Sequence, residues 1–191
     1  MAGGSSVQGG GGRPDPGCED GRCDLAEVCM EGSDGITELP AEMEWLLARE
    51  EIAALLHRYA WHFDRNEPEQ IAELFAEDAI IDYGPEFPPI RGRSRIAGAI
   101  RPGLQERFAA TSHHISNLLV VPAGSHRATG TAYVYAWHRY RDGSPDGYLW
   151  GQYRCGFVRD VEGWRIQEMV LAVAGTVDFH RAAMHPIGRR E

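Results

Sequence analysis

The chain has 191 residues and a net charge of −9, and its 19 basic residues are all arginine. The absence of lysine excludes Schiff-base chemistry, a pyridoxal-phosphate anchor and the phosphate-loop lysine of nucleotide hydrolases. Residues 1–40 hold eight acids and two arginines, which leaves only −3 of the −9 to the remainder. A nearly balanced chain without basic clusters argues against nucleic-acid binding, and no apolar run approaches the ~20 residues of a membrane span.

Residues 1–40 are rich in Gly, Ser, Pro and acid, and read as a disordered lead-in. The opening MAGGSSVQGGGG has neither a basic nor an apolar region, so no secretory signal is expected and the cytoplasm is the default compartment. Cys18, Cys23 and Cys29 lie here without zinc-ribbon spacing, and reduced thiols are expected. Cys155 reads as a small apolar residue in a strand.

The folded domain is expected over residues 41–175. A first helix runs from Ala41 to about Arg65. At about 100° per residue, Leu55, Leu56, Tyr59 and Phe63 fall within about 60° of Ile52 and form one apolar stripe. Asp64 falls at its flank in the last turn, where the helix dipole disfavours a carboxylate, so it is either simply solvated or held there for a purpose. Arg65-Asn66-Glu67-Pro68 breaks the helix, and a second restarts at Pro68 with Ile71, Leu74 and Phe75 at helical spacing. Ala79–Tyr83 reads as a strand. Ser94 is expected to cap a third helix reaching Phe108, interrupted near Pro102-Gly103.

From Thr111 the pattern changes to a meander of strands: Ser112–Val121, Ala128–Arg141, Tyr148–Arg159 and Trp164–Val173. Turn chemistry separates them, as in Asp142-Gly-Ser-Pro-Asp-Gly147. Helices followed by antiparallel strands imply an α+β fold, three N-terminal helices packed on one face of a curved, mostly antiparallel sheet. Residues 176–191 form a tail with little pattern beyond a possible short helix.

Alternation sorts the strand side chains into faces. His113, Ile115, Asn117 and Leu119 share one side, and His114, Ser116, Leu118 and Val120 the other. Both sides are mixed, so alternation leaves open which histidine is inside. Tyr133, Tyr135 and Trp137 oppose Val134, Ala136 and His138. Trp150, Gln152 and Arg154 oppose Leu149, Tyr153, Cys155 and Phe157. Polar groups scattered through apolar faces suit a concave pocket, although one wet sheet face would look the same.

Four features carry a family resemblance: Tyr59-x4-Asp64 closing the first helix, Leu74-Phe-Ala-Glu-Asp-Ala79 leading into Ile81-Asp82-Tyr83, Thr111-Ser-His-His-Ile-Ser-Asn117, and Gly151-Gln-Tyr153 followed by Gly163-Trp-Arg-Ile166. On these, residues 43–173 resemble the SnoaL-like family of the nuclear transport factor 2-like superfamily. The resemblance implies a cone-shaped α+β barrel. The nearest patterns are those of scytalone dehydratase, bile-acid 7α-dehydratase and lindane dehydrochlorinase. In these, an Asp closing the first helix pairs with a strand His that removes a proton from carbon.

Carried over, the resemblance makes His113 the base, Asp64 its orienting partner, and Tyr59 and Tyr83 donors to the substrate oxygen, with His114 the alternative base. His138, Arg154, Asn117 and Trp150 complete the implied substrate-contacting set. The implied activity is that of a cofactor-independent lyase, favouring dehydration of a hydrophobic cyclic or aromatic molecule, with isomerisation or cyclisation as neighbours. A neutral-pKa imidazole suits proton abstraction from carbon, and tyrosine hydroxyls suit a departing or developing oxyanion. Neither metal nor organic cofactor is required, and His62, Asp64, His113 and His114 lack a metal-ligand spacing. The other class the fold admits is a non-catalytic binding or assembly protein, such as the small subunit of a ring-hydroxylating dioxygenase. A sheet face carrying Tyr133, Tyr135 and Trp137 suits a homodimer or homotrimer interface.

Overall fold

The computed structural model describes residues 40–188. The expected lead-in, with Cys18, Cys23 and Cys29, lies outside the described residues apart from Pro40. Helix α1 spans Ala41–Asp64 and buries Ala48, Ile52, Leu55, Leu56 and Tyr59, the stripe that the spacing predicts. It stops where Asn66 turns to φ 57°, and α2, Pro68–Ala72, restarts on a proline that needs no amide hydrogen bond. No described helix is long and apolar enough to cross a membrane.

Leu74 and Phe75 are not helical, contrary to their spacing. Strand β1 already begins at Phe75 and runs to Asp82. The cause is tertiary: the Leu74 carbonyl accepts the Ile166 amide at 2.9 Å, and Phe75 pairs in parallel with Ile166. A short β2, Ile90–Arg91, follows. Helix α3 spans Arg93–Pro102 and begins after Gly92 at φ 87°, without a side-chain cap, so Ser94 does not cap it. One π-helical turn, Gly103–Arg107, then leads into the sheet.

The meander follows the expected order: β3 Phe108–Pro122, β4 Arg127–Tyr140, β5 Gly147–Asp160 and β6 Gly163–Val177. The main path of the sheet is β2-β1-β6-β5-β4-β3, antiparallel along that path except where β1 runs parallel to β6. Helix α1 lies against β3 and β6, and the core fills the concave side. Strict alternation fails in β3. Asn117 adopts φ 49°, and the register against β4 slips between Ser116 and Leu119. This bulge reverses the phase, so His113 and Ile115 point inward, as do Leu118 and Val120, while Leu119 is 70% exposed.

The described part of the C-terminal segment, to residue 188, contains no helix. It folds back as a strap whose His185–Pro186, strand β7, pairs in parallel with β6 at Ala172 and Val173. The Tyr140 hydroxyl donates to the Asp178 carbonyl at 3.2 Å and accepts the His180 amide at 3.0 Å. Farther along, the Ala182 amide donates to Glu86 and His185 pairs with Asp82 at 3.0 Å. Gly147 permits the first of these anchors. A Cβ there would lie 2.1 Å from the Tyr140 hydroxyl and 2.8 Å from the Asp178 carbonyl.

Candidate active site

Asp64, the last residue of α1, faces the start of β3. One carboxylate oxygen accepts from the His113 ring Nδ1 at 2.7 Å and from the Thr111 hydroxyl at 2.8 Å; the other accepts the His113 backbone amide at 2.8 Å. These bonds offset the unfavourable helix end. Burial pushes the carboxyl pKa up, but the hydrogen bonds and the His113 charge outweigh it and hold the group below its ordinary value. With Nδ1 donating to the carboxylate, Nε2 is left as the acceptor on the cavity side. Only 4% of the His113 side chain is exposed, and the Phe63 ring packs against it at 4.6 Å.

The imidazole borders a cavity of about 650 Å³ enclosed by the concave sheet, α1, α3 and the strap. Tyr59 and Tyr83 line it with their hydroxyls 2.6 Å apart, and Tyr153 packs edge-on against Tyr59 at 5.6 Å. Burial and the neighbouring phenols push Tyr59 well up, and burial pushes Tyr83 to about 12. All act as neutral donors near neutral pH.

A second imidazole, His138, lies 5.3 Å from His113 and stacks on Phe108 at 4.6 Å. It is 4% exposed, and neither ring nitrogen has a partner among the described residues. Burial and the His113 charge hold its pKa down to about 3, so it stays neutral. The strap supplies Phe179, His180 and Arg181 to the cavity wall. Among the described residues no group of three or more His, Cys, Asp or Glu is placed to hold a metal ion.

Asp64, His113, Tyr59, Tyr83 and His138 thus converge. Asp64 itself does not line the cavity and reaches it only through its contact with His113. The others do not converge. His114 points outward beside Tyr135, and Trp150 lies on that same outer face, 46% exposed. Arg154 is exposed four residues along, on the same side of β5. Asn117 is exposed and shapes the bulge. None of the four lines the cavity. Tyr153 belongs to it; alternation groups it with Leu149, Cys155 and Phe157 but does not mark that face as the inner one. His180 and Arg181 carried no sequence signal, since their segment has no periodicity.

Residues 44–170 match the SnoaL-like domain. The chain belongs to the SnoaL-like family. A provisionally assigned scytalone dehydratase from Novosphingobium aromaticivorans is 34% identical with a TM-score of 0.74, over 78% of this chain and 99% of that one. The Kfla4162 protein of Kribbella flavida is 28% identical with a TM-score of 0.64, over 70% and 95%. The hexachlorocyclohexane dehydrochlorinase LinA-type3 of Novosphingobium barchaimii, 14% identical over 77% and 100% with a TM-score of 0.66, shares the fold alone. No curated protein sequence matches significantly. Within this SnoaL-like fold, the end of α1 and the start of β3 meet at the cavity wall, and that meeting brings the acid to the imidazole.

Proposed function

We propose that this SnoaL-like protein is a cofactor-independent lyase of the dehydratase type, acting on a hydrophobic cyclic or aromatic small molecule. The observation that carries the reading is the buried His113 ring, held by Asp64 through Nδ1 and presenting Nε2 to the cavity. His113 takes the proton from a carbon made acidic by a neighbouring carbonyl, and Asp64 stabilises the imidazolium that forms. The electron pair becomes the new C–C double bond as the C–O bond on the adjacent carbon breaks. Tyr59 and Tyr83 are neutral and share one hydrogen bond, so one hydroxyl donates to the other and the remaining proton is free for the carbonyl oxygen as it gains charge. The imidazolium returns its proton to the departing hydroxide, and water leaves. Isomerisation uses the same first step with the proton returned to a different carbon.

The test is turnover of β-hydroxy cyclic ketones followed by product mass and by deuterium uptake in heavy water. Wild type is expected to eliminate water or exchange the α-proton, whereas folded Asp64→Asn and His113→Ala do neither. Equal rates in wild type and His113→Ala would sink the assignment, and ligand binding without proton transfer would leave a binding protein.

The same reading includes a cytoplasmic location and self-association through the outer face of β4 and β5. There Tyr133 is 48% exposed, and Tyr135, Tyr148 and Trp150 stack within 6.5 Å of one another. A monomer by light scattering at micromolar concentration would remove that surface.

A further inference from the structure

Arg181 is a cavity-lining residue that the proposed lyase chemistry leaves without a task. It lies on the strap, outside the residues 44–170 that match the family, and its guanidinium carbon sits 5.6 Å from the Tyr83 ring centroid and 5.0 Å from that of Phe87. Its Nη1 is buried and has no hydrogen-bond partner among the described residues. The backbone on either side of it is held by Tyr140 and Glu86, and the His185 side chain is tied to Asp82 farther along, so the cation is delivered to one place. Ring faces offset part of the loss of water, but a buried guanidinium donor without an acceptor is unfavourable until one arrives.

The charges around it narrow what that acceptor is. Glu86 is the acid whose field favours the charged guanidinium, and its carboxylate also accepts the Ala182 amide. Glu106, Arg107 and Asp142 also border the cavity, but all three are exposed, and Arg107 and Asp142 feel each other's charge. Asp64 is engaged by three donors at His113. Arg181 is therefore the cation with an unmet donor inside the apolar wall. We propose that Arg181 makes the cavity selective for ring compounds bearing a carboxylate, which its guanidinium binds through Nη1 beside Tyr83 and Phe87. The planar fork of arginine matches a carboxylate, and pairing neutralises the half-buried cation and satisfies its buried Nη1. This rests on the cavity being the small-molecule site. It adds that the substrate is an acid, with the carboxylate seated at the strap and the reacting carbon toward His113.

The test is calorimetric titration of the full-length protein at pH 7.5 with 2-naphthoate and with 2-naphthamide, which share a ring system and differ in charge. Wild type is expected to bind the naphthoate at least tenfold more tightly. Arg181→Met, which keeps a long side chain on the two rings, is expected to lose that preference while still binding the amide, and Arg181→Lys to keep part of it. Equal affinities in wild type would overturn the proposal without touching the lyase reading, as would a preference that survives Arg181→Met and vanishes in Arg107→Met. Should the methionine variant unfold early by thermal scan, the wild-type preference and the lysine variant decide alone. Failure of both ligands to bind at millimolar concentration would remove the acid-binding site and the small-molecule reading together.

Discussion

Asp64 grips His113 at two points, taking the ring Nδ1 on one oxygen at 2.7 Å and the backbone amide on the other at 2.8 Å. Residues 49 positions apart are thereby locked as one unit, with the imidazole tautomer and the strand position set by the same carboxylate. Replacing Asp64 by Asn keeps the shape but removes the charge that selects Nδ1–H. Nitrogen-15 NMR of the histidine rings should show a single Nδ1-protonated form of His113 in wild type and a mixture in Asp64→Asn. Turnover should fall by roughly 10²–10⁴ if the pair acts as in other carboxylate–histidine catalysts. An unchanged tautomer in Asp64→Asn would mean that the carboxylate does not orient the ring.

Thr111 is the third donor to that carboxylate. Thr111→Val preserves the β-branched shape and leaves one carboxylate lone pair to water or to nothing. Urea unfolding should show a loss of about 1.5–3 kcal/mol, the range for a hydrogen bond to a charged group. The pH dependence should change as well. Asp64 is held below its ordinary value of 3.8, so its contribution is present above that pH and is lost as pH falls through the folded-state value. Thr111→Val should move that loss upward in pH.

His138 gives stability an acid dependence at a higher pH. Its pKa falls from 6.5 to about 3 on folding, because burial opposes its charge. Below 6.5 the unfolded chain takes up a proton that the folded protein refuses, so stability falls with acidification until about pH 3. The slope from this one group reaches about 1.4 kcal/mol per pH unit. His138→Phe, placed beside Phe108 and Phe179, should flatten the curve by that component in denaturant titrations from pH 7 to pH 4. An unaltered slope would show that His138 titrates normally in the fold.

Gly147 holds open the space where the Tyr140 hydroxyl meets Asp178 and His180. A methyl group there meets a rigid phenol and a backbone carbonyl, neither of which can give way cheaply. Gly147→Ala should destabilise the protein by roughly 1–3 kcal/mol through overpacking. It should also raise hydrogen exchange across residues 178–187 far more than in β5. Uniform exchange in the variant and wild type would mean that the strap does not depend on this anchor.

Local pattern alone determined that α1 buries one stripe ending near Phe63, that four long strands follow Thr111, and that Tyr153 and Cys155 share one face of their strand. Each of these depends on a period that a chain segment carries within itself, and the inward or outward choice then follows from burying the apolar side. The pairing of Asp64 with His113 was readable only through likeness to a family, because a contact across 49 residues leaves no local mark. Tertiary structure alone decided the rest. Phe75 left the helix because β6 offered its backbone a partner, and Asn117 left the expected face because a single left-handed residue shifts every later side chain by one step. Arg181 entered the cavity because Tyr140, Glu86 and Asp82 tie down a stretch with no period of its own. Such a segment takes its shape from what it lands on, and its sequence names the side chains without naming the surface.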